Sequence, residues 1–412
     1  MTARELEDQY GAHNYHPLPV VLTRGEGVWV WDEDGKRYLD MMSAYSAVSH
    51  GHRHPRIIKA LKDQLDRIAV TSRAYYTDKL GAFLKKLCDV AQMDMALPMN
   101  TGAEAVETAI KAARRWGYQV KGIEKDQAEI IVVTGNFHGR TTTIVGFSSD
   151  EEYKQGFGPF TPGFRLVEYG DAKALAEAIT PNTCAILMEP IQGEAGIVVP
   201  PQGYLREARR LCDENNVLLI LDEIQSGLAR TGKMFAFEHE SIRPDGLILG
   251  KALGGGVLPV SAFLASKEVM ELFNPGSHGS TFGGNPLAAA VGAEALDVIL
   301  DENLVERSAE QGEYLKSRIA ALNSPLITEV RGKGLWIGVE IDPKLASARD
   351  FCERMKAKGV LSKETHATVV RLAPPLVISR EDLDWGIDRF VEVIREMEAE
   401  LSLNSPATRV AS

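Results

Sequence analysis

VLLILDEIQSGLARTGKMFAFEHESIRPDGLILGK, residues 217–251, contains two apolar runs that each stop at a charged side chain. Val217 to Leu221 ends in Asp222 and Glu223, and Leu247 to Leu249 ends in Gly250 and Lys251. Short runs without alternation suit strands buried on both faces of a parallel sheet. Ligands of such sheets bind beyond the carboxyl ends of the strands. One strand therefore delivers a carboxylate to that edge, and another delivers an amine. An amine there suits Schiff-base chemistry, and a buried acid nearby suits a pyridinium nitrogen. The pair by itself reads equally well as a turn cap and a solvated lysine.

Outward from this stretch, strand and helix patterns alternate. Strands are expected at 129–134, 164–168, 184–189, 217–222, 247–250 and 260–265, with helices between them at 171–179 and 203–215. Alternation of this kind predicts an α/β fold with a largely parallel sheet and right-handed crossovers. Asn100-Thr101-Gly102-Ala103-Glu104 opens an Ala/Glu-rich helix whose free N–H groups suit a phosphate, or simply make a helix capped by Thr101. Loops after two strands carry Phe137-His138-Gly139-Arg140 and Glu189 to Glu194. Gly254-Gly255-Gly256 does not fit GxGxxG after a first strand, which excludes a dinucleotide site.

Upstream, Gly27 to Asp40 reads as a hairpin turning at Asp34-Gly35. Pro55 opens an amphipathic helix with Ile57, Ile58, Leu61, Leu65 and Ile68 on its apolar face, and a second helix runs to about Val90. His50, His52 and His54 lack a cysteine or carboxylate at ligand spacing, so they read as packing and turn residues and no metal is expected. Downstream, the Gly-rich loop at 278–286 precedes a long helix at 287–300. The texture then changes to a smaller α+β region, with strands at 334–340 and 368–372. A last helix carries Leu383, Ile387, Phe390, Val391, Ile394, Met397 and Leu401 on one face, and 402–412 read as a frayed end.

The net charge of −11, without a basic run, argues against nucleic acid or an anionic membrane as partner. Four scattered cysteines read as reduced thiols, and the first residues resemble no secretory or transit signal. No apolar run approaches membrane-spanning length. These features fit a cytoplasmic protein.

Taken in order, TGAEAVE (101–107), FHGRT (137–141), EPIQGEAG (189–196), LDEIQSGLARTG (221–232), LGKALGGG (249–256), GSTFGGNP (279–286) and VRLAPPL (370–376) resemble the class III aminotransferases, and the likeness spans about residues 15 to 400. The resemblance implies a fold type I pyridoxal-phosphate enzyme with a mostly parallel seven-stranded sheet in a large domain, here 51–300. A smaller α+β domain would combine an N-terminal segment, 1–50, with 301–412. It also implies a homodimer with its active site at the subunit interface. Lys251 would hold pyridoxal 5'-phosphate as a Schiff base and shuttle a proton, and Asp222 would pair with the pyridine nitrogen. Gln225 would bond the ring's phenolic oxygen, and Phe137 would stack on its face. Gly102 and Ala103 would receive the phosphate, joined by Thr281 of the other subunit.

SAYSAVSHGH (43–52), TSRAYYTD (71–78) and VVRLAPPLVI (369–378) are most similar to the family's ornithine branch. That likeness implies transfer of the δ-amino group of L-ornithine to 2-oxoglutarate, giving glutamate and a semialdehyde that cyclises to pyrroline-5-carboxylate. Arg371 would take the keto acid's α-carboxylate, Glu194 would mask Arg371 when ornithine is bound, and Arg140 would take the far carboxylate. Tyr45 would bond ornithine's α-amino group, and Tyr75 would line the same pocket. His138 stands where that branch usually has Trp, as in the acetylornithine branch, and His50 replaces a usual glutamine. Other donors, acetylornithine or 4-aminobutyrate, remain alternatives, as do an aminomutase and a non-catalytic binding protein.

Overall fold

The computed structural model describes residues 1–403. In chain order the first strands are β1 (Leu22–Glu26), β2 (Trp29–Asp32) and β3 (Arg37–Asp40). Next come β4 (Met95–Met99), β5 (Glu129–Val133), β6 (Phe164–Val167), β7 (Thr183–Met188), β8 (Leu218–Asp222), β9 (Gly246–Leu249) and β10 (Ser261–Ala265). The last are β11 (Ile327–Gly332), β12 (Ile337–Ile341), β13 (Val360–Leu361), β14 (Lys363–Thr365) and β15 (Val369–Leu372).

Seven of these form a central sheet in the order β4-β10-β9-β8-β7-β5-β6. The pairs from β9 through β8, β7 and β5 to β6 are parallel. β10 runs against both its neighbours, so 260–265 is the one antiparallel strand. Every residue of β7, β8, β9 and β10 is buried, as unalternated apolar runs require. The pleat sends Ile130, Val132, Leu187 and Ile220 to a core beneath the helix Gly102–Gln119, with Val106, Ala109 and Trp116. Ile131, Val133, Met188 and Leu221 point the other way, towards Ala208, Leu211 and Cys212 of the helix Tyr204–Asn215. β4 has no counterpart among the strands read from sequence. Its Pro98 cannot donate to a ladder, which confines the segment to the sheet edge and hides its signal.

Two smaller sheets complete the fold. In one, of order β1-β2-β3-β13, β13 adds in parallel to β3 and joins the start of the chain to its last quarter. The other is antiparallel, β11-β12-β15-β14. The expected hairpin is β2–β3, with Gly35 at φ +80. The strand expected from Gly334 begins only at Ile337, because Gly334 sits in a turn at φ +55. The helices Leu304–Ala320 and Ala348–Ala357 were not singled out from the sequence. In the last helix, Leu383, Ile387, Phe390, Ile394 and Met397 are buried, Val391 and Leu401 are half-buried, and Val393 joins them in the core. This helix continues to Leu403, and the rest of the expected frayed end, 404–412, lies outside the described residues. Among the described residues no helix is long and apolar enough to cross a membrane.

The C-terminal region meets the loop after β8 at a backbone crossing. A Cβ on Gly312 would lie 2.0 Å from the Gly334 carbonyl, and one on Gly334 would lie 2.4 Å from the Thr231 carbonyl carbon. Gly312→Ala is therefore expected to cost at least about 3 kcal/mol through backbone displacement. Gly81 lies in the helix Leu80–Ala91 and faces open space, so Gly81→Ala is expected to be neutral or to stabilise by up to about 1 kcal/mol. Denaturant midpoints compare the two, and equal midpoints would refute the crossing as a packing constraint.

Candidate active site

The parallel strands β5, β7, β8 and β9 all point their carboxyl ends at one edge, and the ionisable residues gather there. Asp222, the last residue of β8, is 4% exposed. Its Oδ1 accepts from the Ile224 N–H at 3.0 Å, and its Oδ2 pairs with Nδ1 of His138 at 2.7 Å. His138 is fully enclosed, and its Nε2 has no hydrogen-bond partner among the described residues. Burial alone would lower its pKa, but the Asp222 hydrogen bond and the charges of Asp222 and Glu189 outweigh that and raise it. Glu189 follows β7 and is also buried. Its two oxygens accept from the N–H groups of Phe137 at 2.9 Å and Gly193 at 3.1 Å, bracing both loops that flank the site. Loss of hydration pushes its carboxyl up to about 7.

Lys251 follows β9 through Gly250 and has φ +43, a left-handed conformation that is costly for a residue with a Cβ. Loss of hydration draws its ammonium below the ordinary value, against the opposing pull of Glu194, Asp222 and Glu189. Part of the amine is thereby available unprotonated. Glu194 Oε1 accepts from Arg371 Nη1 at 2.9 Å and from Gln225 Nε2 at 3.3 Å. Burial would raise this carboxyl, yet Arg371 and Lys251 hold it below its usual range. Gly193 allows this close packing, since a Cβ there would meet Gln225 Nε2 at 2.5 Å.

Arg371, on β15, is buried, with its guanidinium carbon 4.7 Å from the centre of the Tyr45 ring. Tyr45 is carried by four consecutive residues with positive φ, Ser43 (+50), Ala44 (+45), Tyr45 (+58) and Ser46 (+73). Neighbouring bonds pin this left-handed turn. Asp40 Oδ1 accepts from the N–H groups of Met42 and Ser43, and Ser43 Oγ donates to the Ala373 carbonyl at 2.6 Å.

The helix Gly102–Gln119 begins beside the same edge. Thr101 and Glu104 form a reciprocal capping box, which leaves the N–H groups of Gly102 and Ala103 without an acceptor among the described residues. Ser261 Oγ of β10 fixes the turn by donating to the Thr101 carbonyl at 2.7 Å. Gly139 (φ +125) closes the wall, since a Cβ there would lie 2.9 Å from that of Ala103. Small residues, two free N–H groups and the positive helix end suit a phosphate. Arg140 is exposed and forms no ion pair among the described residues; its guanidinium carbon lies over the rings of Phe137 (5.5 Å) and Tyr153 (4.2 Å). The chain by itself does not bring Tyr75 or Thr281 into the group. Tyr75 is 74% exposed, and Thr281 lies on an exposed loop.

The three histidines near residue 52 are used in packing. His50 bonds the Ala295 carbonyl, His52 pairs with Asp40, and His54 pairs with Glu302. Of the site residues, His138 and Glu189 were not assigned from sequence. Their signal was position, since Glu189 directly follows an apolar run as Asp222 does.

The model of the family "Aminotransferase class-III" matches residues 10–394. The chain is a class III aminotransferase. It is 60% identical to the ornithine aminotransferase of Bacillus subtilis over 396 residues, 95% of this chain and 98% of that one. The ornithine aminotransferase of Toxoplasma gondii, whose structure shows partial occupancy of PLP at its active site, superposes with a TM-score of 0.95 at 44% identity, covering 96% of this chain and 94% of that chain. An acetylornithine aminotransferase from Elizabethkingia anophelis superposes at 0.87 with 49% identity, covering 95% and 98%. The seven-stranded sheet and flanking sheets of the aminotransferase are accordingly those of a fold type I enzyme.

The buried groups give the aminotransferase a defined pH response. Glu189 takes its proton near pH 7 when folded and near its ordinary 4.5 when unfolded. Between these values the folded chain holds more protons, so stability falls as pH rises and levels off above 7. The raised pKa of His138 acts in the same direction: its contribution is complete below 6.5 and is lost as pH rises through the folded value. Glu189→Gln is expected to flatten the fall in apoprotein melting temperature between pH 4.5 and 7. An unchanged slope would show that Glu189 does not take up this proton.

Proposed function

We propose that this aminotransferase uses pyridoxal 5'-phosphate to move the δ-amino group of L-ornithine to 2-oxoglutarate. The observation that carries this reading is the contrast between its two arginines. Arg371 is masked by Glu194 at 2.9 Å, while Arg140 forms no ion pair among the described residues. An enzyme that alternates between a diamine acid and a dicarboxylic keto acid needs one arginine that can be switched off and one that is always open. The ornithine aminotransferases at about 60% identity support the same donor.

The residues fit the cofactor by their donor set: a carboxylate for a ring nitrogen, an amine of lowered pKa, and a phosphate cradle too tight for a side chain at Gly139. Bound pyridoxal phosphate supplies a carbonyl that exchanges with primary amines and a ring that withdraws electrons from the adjoining carbon. Asp222, oriented by Ile224 and His138, would face the ring nitrogen, with Gln225 at the phenolic oxygen and Phe137 on one face. Gly102 and Ala103 would hold the phosphate. Lys251 Nζ would anchor the carbonyl carbon and then carry the proton from the δ-carbon of ornithine. Tyr45 would accept the α-amino group of ornithine while Glu194 keeps Arg371 closed. Glu194 would swing away for the keto acid, whose α-carboxylate would take Arg371 and whose far carboxylate would take Arg140.

We further propose that two copies pair, with Tyr75 and Thr281 of each completing the other's pocket. Tyr75, Tyr76 and Phe282 are 74%, 105% and 56% exposed, and their loops adjoin where the Leu287 N–H meets the Ala69 carbonyl. In this reading residues 51–300 form the cofactor-binding unit, 1–50 and 301–412 form the smaller one, and the enzyme works in the cytoplasm. The acetylornithine relative and the shared His138 favour one rival donor.

Mixing holoenzyme with L-ornithine or N-acetylornithine alone, while following the cofactor's visible absorbance, separates these donors. Rapid conversion by ornithine only is expected, and faster conversion by the acetylated amine would overturn the assignment. Glu194→Ala opens Arg371 permanently. It is expected to slow the ornithine half-reaction at least about tenfold, as loss of a charge-assisted partner implies, and to speed the glutamate half-reaction. If both half-reactions slow equally, the pair is structural and does not switch.

A further inference from the structure

Arg140 and Arg371 are held by different physics. Arg371 is held by a carboxylate, which takes one of its donors, Nη1. Arg140 has no ion pair among the described residues, yet its guanidinium lies 4.2 Å from the Tyr153 ring centre and 5.5 Å from that of Phe137. The two rings meet edge to face, 79° apart with centroids 6.1 Å distant, so they form a corner. A guanidinium stacked on aromatic faces keeps its N–H edges free, because cation–π attraction uses no hydrogen bond.

Tyr153 is held in register with that corner. It ends a short 3-10 turn, Glu151–Tyr153, capped by Asp150, whose Oδ1 accepts from the Glu152 N–H at 3.0 Å. Asp150 N–H in turn donates to Ser148 Oγ at 3.1 Å, and Gly135 N–H donates to Ser149 Oγ at 2.8 Å. The turn is thus tied back to the loop after β5 that carries both Phe137 and Arg140. Burial, the first influence on the Tyr153 hydroxyl, raises its pKa and outweighs the opposing charge of Arg140 and its hydrogen bonding to the hydroxyl, so the ring remains neutral and its face keeps its attraction for a cation.

We propose that Tyr153 is a positioning residue for the keto-acid half-reaction: its ring presets the Arg140 fork for the far carboxylate of a dicarboxylic acceptor without competing for it. The inference rests on the assignment of that carboxylate to Arg140. It predicts a split between half-reactions, because ornithine brings no second carboxylate to Arg140.

Holoenzyme carrying Tyr153→Leu, Tyr153→Phe or Arg140→Lys would be assayed in each half-reaction separately. Tyr153→Leu is expected to raise the KM for 2-oxoglutarate roughly threefold to tenfold, the span of a partly desolvated cation–π contact, with the ornithine half-reaction within twofold of native. Tyr153→Phe keeps the ring and is expected to restore the native KM. If Arg140→Lys raises that KM and Tyr153→Leu does not, the tyrosine has no such role and the arginine assignment stands. If Arg140→Lys leaves it unchanged, the arginine assignment itself fails. If Tyr153→Leu slows both half-reactions alike, the ring only supports Phe137 and the proposal is overturned.

Discussion

Charges gathered out of water at the ends of parallel strands constrain everything else in this molecule. Asp222, Glu189, Glu194, His138, Lys251 and Arg371 share one pocket where an unanswered ion would cost several kcal/mol. Each is therefore matched: Asp222 by His138, Glu194 by Arg371, and Glu189 by two backbone N–H groups. Lys251 is the exception: it forms no ion pair among the described residues, and loss of hydration lowers its pKa. A lysine fully neutralised by a salt bridge would be a poor nucleophile; one left in a partly balanced field is a usable amine.

The same matching holds the buried Asp222 side chain in place. Its Oδ1 is held by the Ile224 N–H and its Oδ2 by an imidazole whose own pKa is raised. A side chain fixed at both oxygens is already oriented, with little left to reorganise. Glu189 adds a mechanical role, because its two oxygens bind the loops bearing Phe137 and Glu194 to one another. The two loops are thus one braced unit.

The central strands were legible because a buried parallel strand must be apolar throughout and because its carboxyl end is where polarity resumes. That rule placed Asp222 and Lys251 together from sequence alone. It gave nothing on the direction of β10, whose residues are as apolar as those of its parallel neighbours, and it missed β4, where Pro98 looks like a breaker. Glu194 and Arg371, 177 residues apart, were paired only through a family likeness. His138 was read only as a departure from the ornithine branch. In the structure its Nδ1 pairs with Asp222. Tyr75 and Thr281, expected at the site from the family likeness, are exposed and apart from it within the single chain.

The turn at 43–46 was the least legible feature, and it bears on specificity. Left-handed backbone costs an L-residue roughly 1–2 kcal/mol, and glycine would relieve it, yet the sequence offers Ser, Ala, Tyr and Ser. The strain persists because Asp40, Ala373 and Ser49 hold the turn from three sides. Ala373 and Arg371 belong to one segment, so the bond from Ser43 sets the Tyr45 ring against the same arginine that Glu194 masks. The Tyr45 ring and the Arg371 guanidinium are therefore held against one another through a single hydrogen-bonded segment, with the Glu194 carboxylate bonded to the same arginine.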